Sequence, residues 1–193
     1  MAKIKQIICI SLVLLFLWAC GVVKDKKEKQ SEIVVAAERT DSYLAYLKDK
    51  KVGIVGNQTS MIKNTHLVDS LLSLGIDIVK VFSPEHGFRG KADAGARIKD
   101  TIDIETGIPI ISLYGKNKKP TREQLSEVDI LVFDIQDVGA RFYTYISTLH
   151  YVMEAASENN IELIILDRPN PNGHYVDGPI RKKGYESFVG MHP

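Results

Sequence analysis

The chain has 193 residues, of which 45% are hydrophobic and 25% charged, and its formal net charge is +1. This length is enough for one ordinary domain, and this balance of residues is typical of a globular protein. Residues 1–30 carry six Lys against two acidic residues, so the rest of the chain has a net charge of −3. A body with that charge lacks the basic surface of a nucleic-acid-binding protein. We therefore expect no nucleic-acid partner.

The first residues have the pattern of an export signal. Lys3 and Lys5 precede an apolar run at 7–19, which is short for a membrane span but suits the core of a signal peptide. The run ends in Ala19-Cys20-Gly21, which resembles the cleavage box of bacterial lipoproteins and makes Cys20 the lipidated first residue. Trp18 replaces the small residue usual at its position. An uncleaved membrane anchor is the alternative, and either reading places the body on a bacterial membrane, facing the periplasm or the exterior.

A polar segment separates this signal from the folded body. Residues 24–32 contain no apolar side chain and are typical of a solvated tether. We divide the chain into a lipoprotein signal peptide at 1–20, a polar tether at 21–38 and a folded domain at 39–193. Because Cys9 falls in the removed part and Cys20 carries lipid, we expect no disulfide in the mature domain.

Strands and helices alternate along the body. A helix is predicted around Asp41–Lys50, before the first strand. The apolar runs that follow are rich in Val and Ile and mostly continuous, which is typical of strands buried on both faces. The predicted strands are Lys51–Gly56, Ile76–Phe82, Ile108–Leu113, Ile130–Asp134 and Ile161–Leu166.

The segments between these strands carry helix signals. Thr65 is predicted to cap a helix that Gly75 ends, Thr121 opens a segment with capping-box spacing, and 142–159 keeps a 3.6-residue apolar period. The alternation predicts a doubly wound, Rossmann-like parallel sheet with helices on both faces. The stretch Pro84–Gly107 breaks the rhythm, and a loop of that length is usually functional or mobile.

Polar residues follow the predicted strands. Ligands of such sheets bind beyond the carboxyl ends of the strands, and four of the five ends are dense in carboxylates, amides and guanidinium groups. We therefore predict a binding or catalytic site at this edge. Its candidate residues are Asn57, Gln58 and Thr59 after the first strand, Glu85, His86 and Arg89 after the second, Gln136, Asp137, Arg141 and Tyr143 after the fourth, and Asp167, Arg168 and Asn170 after the fifth.

Several of these residues also have a purely structural reading. Glu85 could cap its loop, His86 could pack in the loop, and Asp167 could form an ion pair with Arg168. Asp134 is as well placed to bind helix-terminal N–H groups as to bind substrate. Arg141 precedes a predicted helix, where a cation is unfavourable, and this position favours a role in binding an anion.

The sequence lacks the usual motifs of metal and nucleotide sites. The His residues are scattered, without HxH, HExxH or CxxC spacing. No GxGxxG or P-loop follows the first strand, and no GxSxG marks a nucleophilic serine. We expect neither a metal nor another cofactor.

The polar segments resemble the signature blocks of one family, the NamZ-type exo-β-N-acetylmuramidases, formerly a domain of unknown function. The blocks are Gly56-Asn57-Gln58-Thr59, Ser83-Pro84-Glu85-His86-Gly87-Phe88-Arg89-Gly90, the stretch from Asp134 to Tyr145, and Leu166-Asp167-Arg168-Pro169-Asn170-Pro171. The resemblance implies removal of N-acetylmuramic acid from the non-reducing end of peptidoglycan fragments, with a muropeptide or disaccharide as substrate. Family members continue for about as many residues again and add a smaller auxiliary domain. The resemblance thus implies an N-terminal fragment, with activity expected of the longer protein.

The implied reaction, glycoside hydrolysis, predicts roles for the candidate residues. Glu85 is the predicted acid/base, with His86 beside it, and Asp137 is the second carboxylate, unless the substrate's own acetamido group is the nucleophile. Arg141 or Arg89 suits the lactyl carboxylate of muramic acid. A lipid-anchored protein that binds cell-wall sugar without cleaving it is the main alternative. A hydrolase of an amide or ester bond is another, although no serine nucleophile or metal set supports it. The oligomeric state is left open.

The predicted anchor can be tested at one residue. Cys20→Ala removes the only sulfur that a lipoprotein pathway could modify at this box, so incorporation of a labelled fatty acid should disappear. Normal labelling of the variant would contradict the assignment.

Overall fold

A six-stranded, mostly parallel sheet forms the centre of the computed structural model, which describes residues 33–90 and 100–192. The strands are β1 (Lys51–Gly56), β2 (Met61–Ile62), β3 (Thr65–His66), β4 (Asp77–Ser83), β5 (Thr101–Ile102), β6 (Pro109–Ser112), β7 (Ile130–Asp134) and β8 (Glu162–Ile165). The helices are α1 (Thr40–Leu47), α2 (Leu67–Ser73), α3 (Arg122–Leu125) and α4 (Tyr145–Asn159), and a 3-10 turn covers Ala36–Glu38.

The strand order explains where a ligand would bind. The sheet runs β5-β6-β4-β1-β7-β8, and β1 pairs in parallel with β4 on one side and β7 on the other. The chain therefore winds one way from β1 to β6 and the other way from β7 to β8. A crevice opens at the carboxyl ends of the strands where the direction of winding changes, which here lies between β1 and β7.

Helices cover both faces of the sheet, as predicted. Side chains of a strand alternate between faces, so Val52 and Ile54 pack with α1 and α2, whereas Val55 packs with α3 and α4. The buried residues form two hydrophobic clusters, one on each side of the sheet. The predicted fold class is confirmed, with one refinement, because β5 runs antiparallel to β6 at the edge.

Several predicted boundaries differ from the observed ones. The capping box at Thr121 is confirmed, with reciprocal bonds to Gln124. The prediction that Thr65 caps α2 is wrong, because Thr65 pairs in β3 and the His66 side chain accepts from Val68 N instead. Helix α4 begins at Tyr145 rather than at 142, because the aromatic pattern continues into a turn with exposed side chains before the helix.

Several predicted features lie outside the described residues. Cys20, the signal peptide at 1–20 and most of the tether at 21–38 fall there, as do residues 91–99 of the long loop. The loop's described part contains β5. The described residues from Val34 onward form one compact unit. Within the described residues, no helix has the length and apolar character needed to cross a membrane.

Gly53 in the central strand β1 leaves no room for a larger side chain. A Cβ there would lie 2.8 Å from Leu131 Cδ2 and 3.1 Å from Val128 Cγ1. Gly53→Val should therefore lower the free energy of unfolding by about 1–3 kcal/mol through overpacking, as measured by urea denaturation. Unchanged stability would show that the sheet and its covering helices adjust without strain.

Candidate functional site

A buried ion pair lies at the carboxyl edge of β7. The Asp134 side chain is 0% exposed and that of Arg168 7%. Arg168 Nε donates to Asp134 Oδ1 over 2.6 Å, and one terminal nitrogen donates to Oδ2 over 2.9 Å and to the Met61 carbonyl over 2.8 Å. Burial raises the pKa of Asp134, and the guanidinium opposes that rise. The pair joins β7, the segment after β8 and β2.

This pair changes the interpretation of three residues. Arg168 was predicted to bind substrate or to pair with Asp167, but its guanidinium pairs with Asp134 instead. Asp134 faces this arginine rather than a helix terminus, and Asp167 is exposed. Which aspartate pairs with Arg168 depends on which loops meet in the folded protein. The spacing of Asp134 and Asp167 in the sequence does not reveal this.

The turn after β1 is organised around Asn57, whose side chain is buried. Asn57 Oδ1 accepts from Thr59 N over 2.8 Å and from Thr59 Oγ1 over 2.6 Å. The hydroxyl of Ser60 donates to the Asp134 carbonyl and accepts from Asn57 N over 3.0 Å. Gln58 lies exposed beside Gly90, since a Cβ on that glycine would approach Gln58 Cβ to 2.9 Å. The turn is thus fixed against β7.

His66 supports the same turn and was missed in the sequence analysis. Its Nδ1 accepts from Val68 N over 3.3 Å, so the other ring nitrogen, Nε2, carries the proton and donates to the Asn57 carbonyl over 2.9 Å. Burial lowers the pKa of this histidine, which keeps the ring neutral. No metal-ligand spacing or other local signal marked it.

Glu85 lies on a tight turn after β4, and its side chain is half-buried. Gly87 N donates to the Pro84 carbonyl over 3.3 Å, and His86 has a φ of 72°. A left-handed histidine is strained, and such strain is common at functional sites. The turn therefore holds Glu85 and His86, both predicted catalytic residues, in a defined and costly conformation.

Two tyrosines lie near Glu85. The charge of Glu85 beside the Tyr114 hydroxyl raises the pKa of Tyr114. The phenol of Tyr145, at the start of α4, is buried, and burial together with the charges of Tyr143 and Glu85 raises its pKa. The Asn57 amide acts in the opposite direction on Tyr145. Both phenols therefore lie within electrostatic reach of Glu85.

Three buried polar atoms at this edge have no hydrogen-bond partner within the described residues. They are Asn57 Nδ2, Ser83 Oγ and Ser112 Oγ, and they follow or end the neighbouring strands β1, β4 and β6. The Asn57 amide lies near the Tyr145 hydroxyl without reaching hydrogen-bond geometry. Buried polar atoms without a partner are rare and costly, and these three lie side by side at the carboxyl edge of the sheet.

Arg89 was predicted to bind substrate, but the structure surrounds it with acidic groups. Its guanidinium donates two hydrogen bonds to Asp69, at 2.9 and 3.0 Å, and two to Asp103, at 2.8 and 2.9 Å. Glu105 lies 3.2 Å away. The bonds from Arg89 lower the pKa of Asp103. This arginine therefore ties the loop after β4 to α2 and to the segment after β5.

The loop after β7 is bonded to both neighbouring loops. Gln136 N donates to Thr59 Oγ1 over 3.0 Å, and Gln136 Nε2 donates to the Pro169 carbonyl over 2.8 Å. Asp137 Oδ1 accepts from Gly139 N over 2.5 Å. Gly139 has a φ of 69°, and a Cβ there would lie 2.2 Å from Asn170 Oδ1. Gln136 therefore joins this loop to both neighbours, and Asn172 Nδ2 adds a bond to the Val138 carbonyl over 2.9 Å.

An apolar pocket of about 120 Å³ lies beside Asp137. Tyr145, already close to Glu85, also lines it. The remaining lining residues are Phe133, Ile135, Ile146, Leu149, Ile165, Leu166, Asp167 and Arg168. The structure thus brings Asp137 and Tyr145 to the same pocket.

Arg141 and Tyr143 are exposed. Arg141 donates to the Pro179 carbonyl over 3.1 Å and lines an open groove of about 650 Å³ with Asn170 and Asn172. Because α4 begins at Tyr145, Arg141 is not adjacent to the helix N-terminus, and the helix dipole does not disfavour its charge there.

No three His, Cys, Asp or Glu side chains of residues 33–90 and 100–192 are arranged to hold a metal ion. The predicted roles of the candidate residues in substrate binding and catalysis stay predictions.

The fold and the edge together define a doubly wound α/β domain with a switch-point site of carboxylates, amides and phenols. The chain belongs to the family described as "Exo-beta-N-acetylmuramidase NamZ, N-terminal", whose model matches residues 52–193. The family predicted from the motifs is thereby confirmed.

Relatives and solved structures agree with this assignment. Peptidoglycan beta-N-acetylmuramidase NamZ of Bacillus subtilis (strain 168) is 51% identical over 156 residues, which cover 78% of this chain and 37% of that protein. Two crystal structures of DUF1343 family proteins from Bacteroides fragilis NCTC 9343 are similar. One has a TM-score of 0.73 at 48% identity and covers 83% of this chain, and the other has 0.72 at 42% and covers 81%. The chain spans 41% and 40% of their lengths.

The contribution of the Asp134–Arg168 pair can be measured by denaturation. Asp134→Ala leaves a buried guanidinium without its counter-charge, so the free energy of unfolding should fall by about 3–5 kcal/mol. The double variant Asp134→Leu with Arg168→Met removes both charges and should lose clearly less. Equal losses in the two variants would show that the uncompensated charge is not the cause.

Proposed function

We propose that the protein containing this chain is a glycosidase that removes N-acetylmuramic acid from the non-reducing end of peptidoglycan fragments, in cell-wall turnover or recycling. The observation that carries this proposal is Glu85, half-buried at the carboxyl edge of the sheet on a turn that is left-handed at His86. The relative from Bacillus subtilis, named a peptidoglycan beta-N-acetylmuramidase, supports the substrate class. Because this chain spans 37% of that relative, the proposal concerns the complete protein.

Glu85 is the proposed general acid. Cleavage of a glycosidic bond needs a carboxylic acid that protonates the leaving oxygen, while the sugar passes through an oxocarbenium-like transition state. The half-buried Glu85 side chain lies on a loop at the edge where ligands of this fold bind. His86 follows it on the same turn and would contact the substrate or its leaving group.

The second group is either Asp137 or the substrate itself. Asp137 is fixed by its bond from Gly139 N and would support the positive charge that develops on the sugar. In the alternative, the acetamido oxygen of muramic acid attacks the anomeric carbon, a recognised variant of glycosidase chemistry. The apolar pocket beside Asp137 would then receive the acetamido methyl group.

Arg141 is the proposed partner of the lactyl carboxylate. A guanidinium binds a carboxylate through two parallel hydrogen bonds, and Arg141 is exposed in an open groove. Arg89 suits this role less well, because Asp69 and Asp103 already accept four of its hydrogen bonds. Asn57, whose amide nitrogen is buried without a partner in the described residues, would bind a substrate oxygen.

The proposed location is the outer side of a bacterial membrane. Cys20 would carry the lipid, and the domain would reach soluble peptidoglycan fragments. The tether would be shorter than the predicted 21–38, because Ala37 is buried in the core. The apolar run at 7–19 and the polar segment at 24–32 support this arrangement.

Glu85→Gln tests the proposed acid in the protein expressed from its complete reading frame. The variant should retain its fold and much of its substrate binding but lose roughly two to four orders of magnitude in kcat on the natural disaccharide. The loss should be smaller on a nitrophenyl muramide, because a good leaving group needs less protonation. Release of free N-acetylmuramic acid and of nitrophenol measures the two rates.

Glu127→Gln is the matched control, since Glu127 is an exposed glutamate after α3, and it should leave both rates unchanged. A folded Glu85→Gln protein with a near-normal rate on the disaccharide would remove Glu85 from the mechanism. A change confined to KM would make it a binding residue. Binding without turnover by the unmodified protein would favour a sugar-binding role.

A further inference from the structure

The turn that carries Glu85 is fixed at both of its ends. On the N-terminal side, Ser83 ends β4 and is paired with β6 in the sheet. On the C-terminal side, Phe88 is 3% exposed and belongs to the hydrophobic cluster that packs with α1 and α2. Arg89 follows and is held by four hydrogen bonds. Only residues 84–87 therefore lie between the two fixed points.

The Arg89 guanidinium binds two carboxylates, each through two parallel hydrogen bonds. Nη1 and Nη2 donate to the two oxygens of Asp69 on α2, over 3.0 and 2.9 Å. Nε and Nη2 donate to the two oxygens of Asp103 after β5, over 2.9 and 2.8 Å. The Arg89 and Asp103 side chains are 15% and 5% exposed, so salt and water screen this contact little. A lysine carries the same charge but lacks the planar fork that these bonds require.

Packed rings connect Arg89 to the turn after β1. The central carbon of its guanidinium lies over the Phe88 ring, 5.0 Å from the centroid. The His66 ring packs edge-to-face with the same phenylalanine, with 4.5 Å between the centroids. His66 Nε2 donates in turn to the Asn57 carbonyl over 2.9 Å. The contacts of Arg89 therefore set the loop that carries Glu85 against the turn at Asn57.

The backbone of the turn needs external support. His86 has a φ of 72° and Gly87 a φ of 78°. A histidine in the left-handed region is strained, and such a conformation persists only where the surrounding structure holds it. Phe88 and Arg89 follow directly and hold the chain on the far side of these two residues. The position of Glu85, just before them, therefore depends on the Arg89 contacts.

We propose that Arg89 is a positioning residue, whose bonds to Asp69 and Asp103 hold the turn so that the carboxyl group of Glu85 reaches the leaving oxygen of the sugar. The inference rests on the proposed function for the role of Glu85. A general acid must lie within hydrogen-bond reach of the atom that it protonates. A displacement of about 1 Å can cost about a hundredfold in rate. Arg89 acts through the turn and does not contact the substrate.

Arg89→Lys tests this role in the protein expressed from its complete reading frame. The variant keeps the positive charge but loses the paired bonds, so kcat on the natural disaccharide should fall by roughly tenfold to a hundredfold, with little change in KM. The loss should be smaller on a nitrophenyl muramide, because a good leaving group needs less protonation. Arg122→Lys, at an exposed arginine of α3, is the matched control and should change neither rate.

Asp69→Asn provides the same comparison if Arg89→Lys does not fold. It removes the charge of one partner with little change of shape and leaves the pair with Asp103 in place. The loss should be smaller than in Arg89→Lys but again larger on the disaccharide than on the nitrophenyl muramide. Asp41→Asn is its control, because Asp41 is an exposed aspartate in the first turn of α1, as Asp69 is in the first turn of α2.

Hydrogen exchange measures the support of the turn independently of activity. Peptides that cover 83–90 should take up deuterium several times faster in Arg89→Lys than in the unmodified protein, while peptides that cover β7 should not change. Unchanged exchange at 83–90 would overturn the proposal whatever the rates. Normal kcat despite faster exchange, equal losses on both substrates, or a change confined to KM would each overturn it as well.

The Glu85→Gln variant separates failure of this proposal from failure of the proposed function. If Glu85→Gln is inactive on the disaccharide while Arg89→Lys has normal kcat, Glu85 remains the acid and only the positioning role fails. If Glu85→Gln keeps its full rate, the proposed function fails, and the positioning role fails with it. Faster exchange together with a selective loss of kcat on the disaccharide supports both.

Discussion

The ion pair between Asp134 and Arg168 is the contact on which the edge of the sheet depends. A wholly buried carboxylate at the end of β7 is tolerable only with a hydrogen-bonded counter-charge, because its desolvation would otherwise dominate. The counter-charge comes from the segment after β8, and its third hydrogen bond reaches the Met61 carbonyl. Three segments that are far apart in the sequence are therefore held at fixed positions around the switch point.

The polar loops at this edge are also held in place, by hydrogen bonds between neighbouring loops. Thr59 joins the turn after β1 to Gln136, and Gln136 joins the loop after β7 to the Pro169 carbonyl. The loop after β4 is fastened separately, through Arg89 to Asp69 on α2. These bonds hold the polar groups in place without a ligand, so a ligand bound at this edge would spend little binding energy on ordering them.

The sequence predicted the sheet better than it predicted the contacts at its edge. Strands β1 and β7 have the predicted bounds, because their continuous apolar runs end at turn-forming or acidic residues. The start of α4 was placed three residues early, because the aromatic spacing continues through Phe142, which is 69% exposed. Ion pairs such as those of Arg89 and Arg168 depend on which loops meet. The register of β4 against β6 determines which loop lies beside Glu85. This register is defined only in the folded sheet, so the sequence did not predict it.

The outer edge of β8 has a further consequence for how these molecules meet one another. An edge strand exposes backbone groups that can pair with another chain, and proteins limit this with short strands and charged side chains. Strand β8 has four residues and begins at Glu162, whose carboxylate forms an ion pair with Lys50. Ile165 at its far end is 44% exposed. Two molecules therefore have only a short stretch of β8 through which their sheets could pair edge to edge, and the charged end of the strand disfavours this pairing.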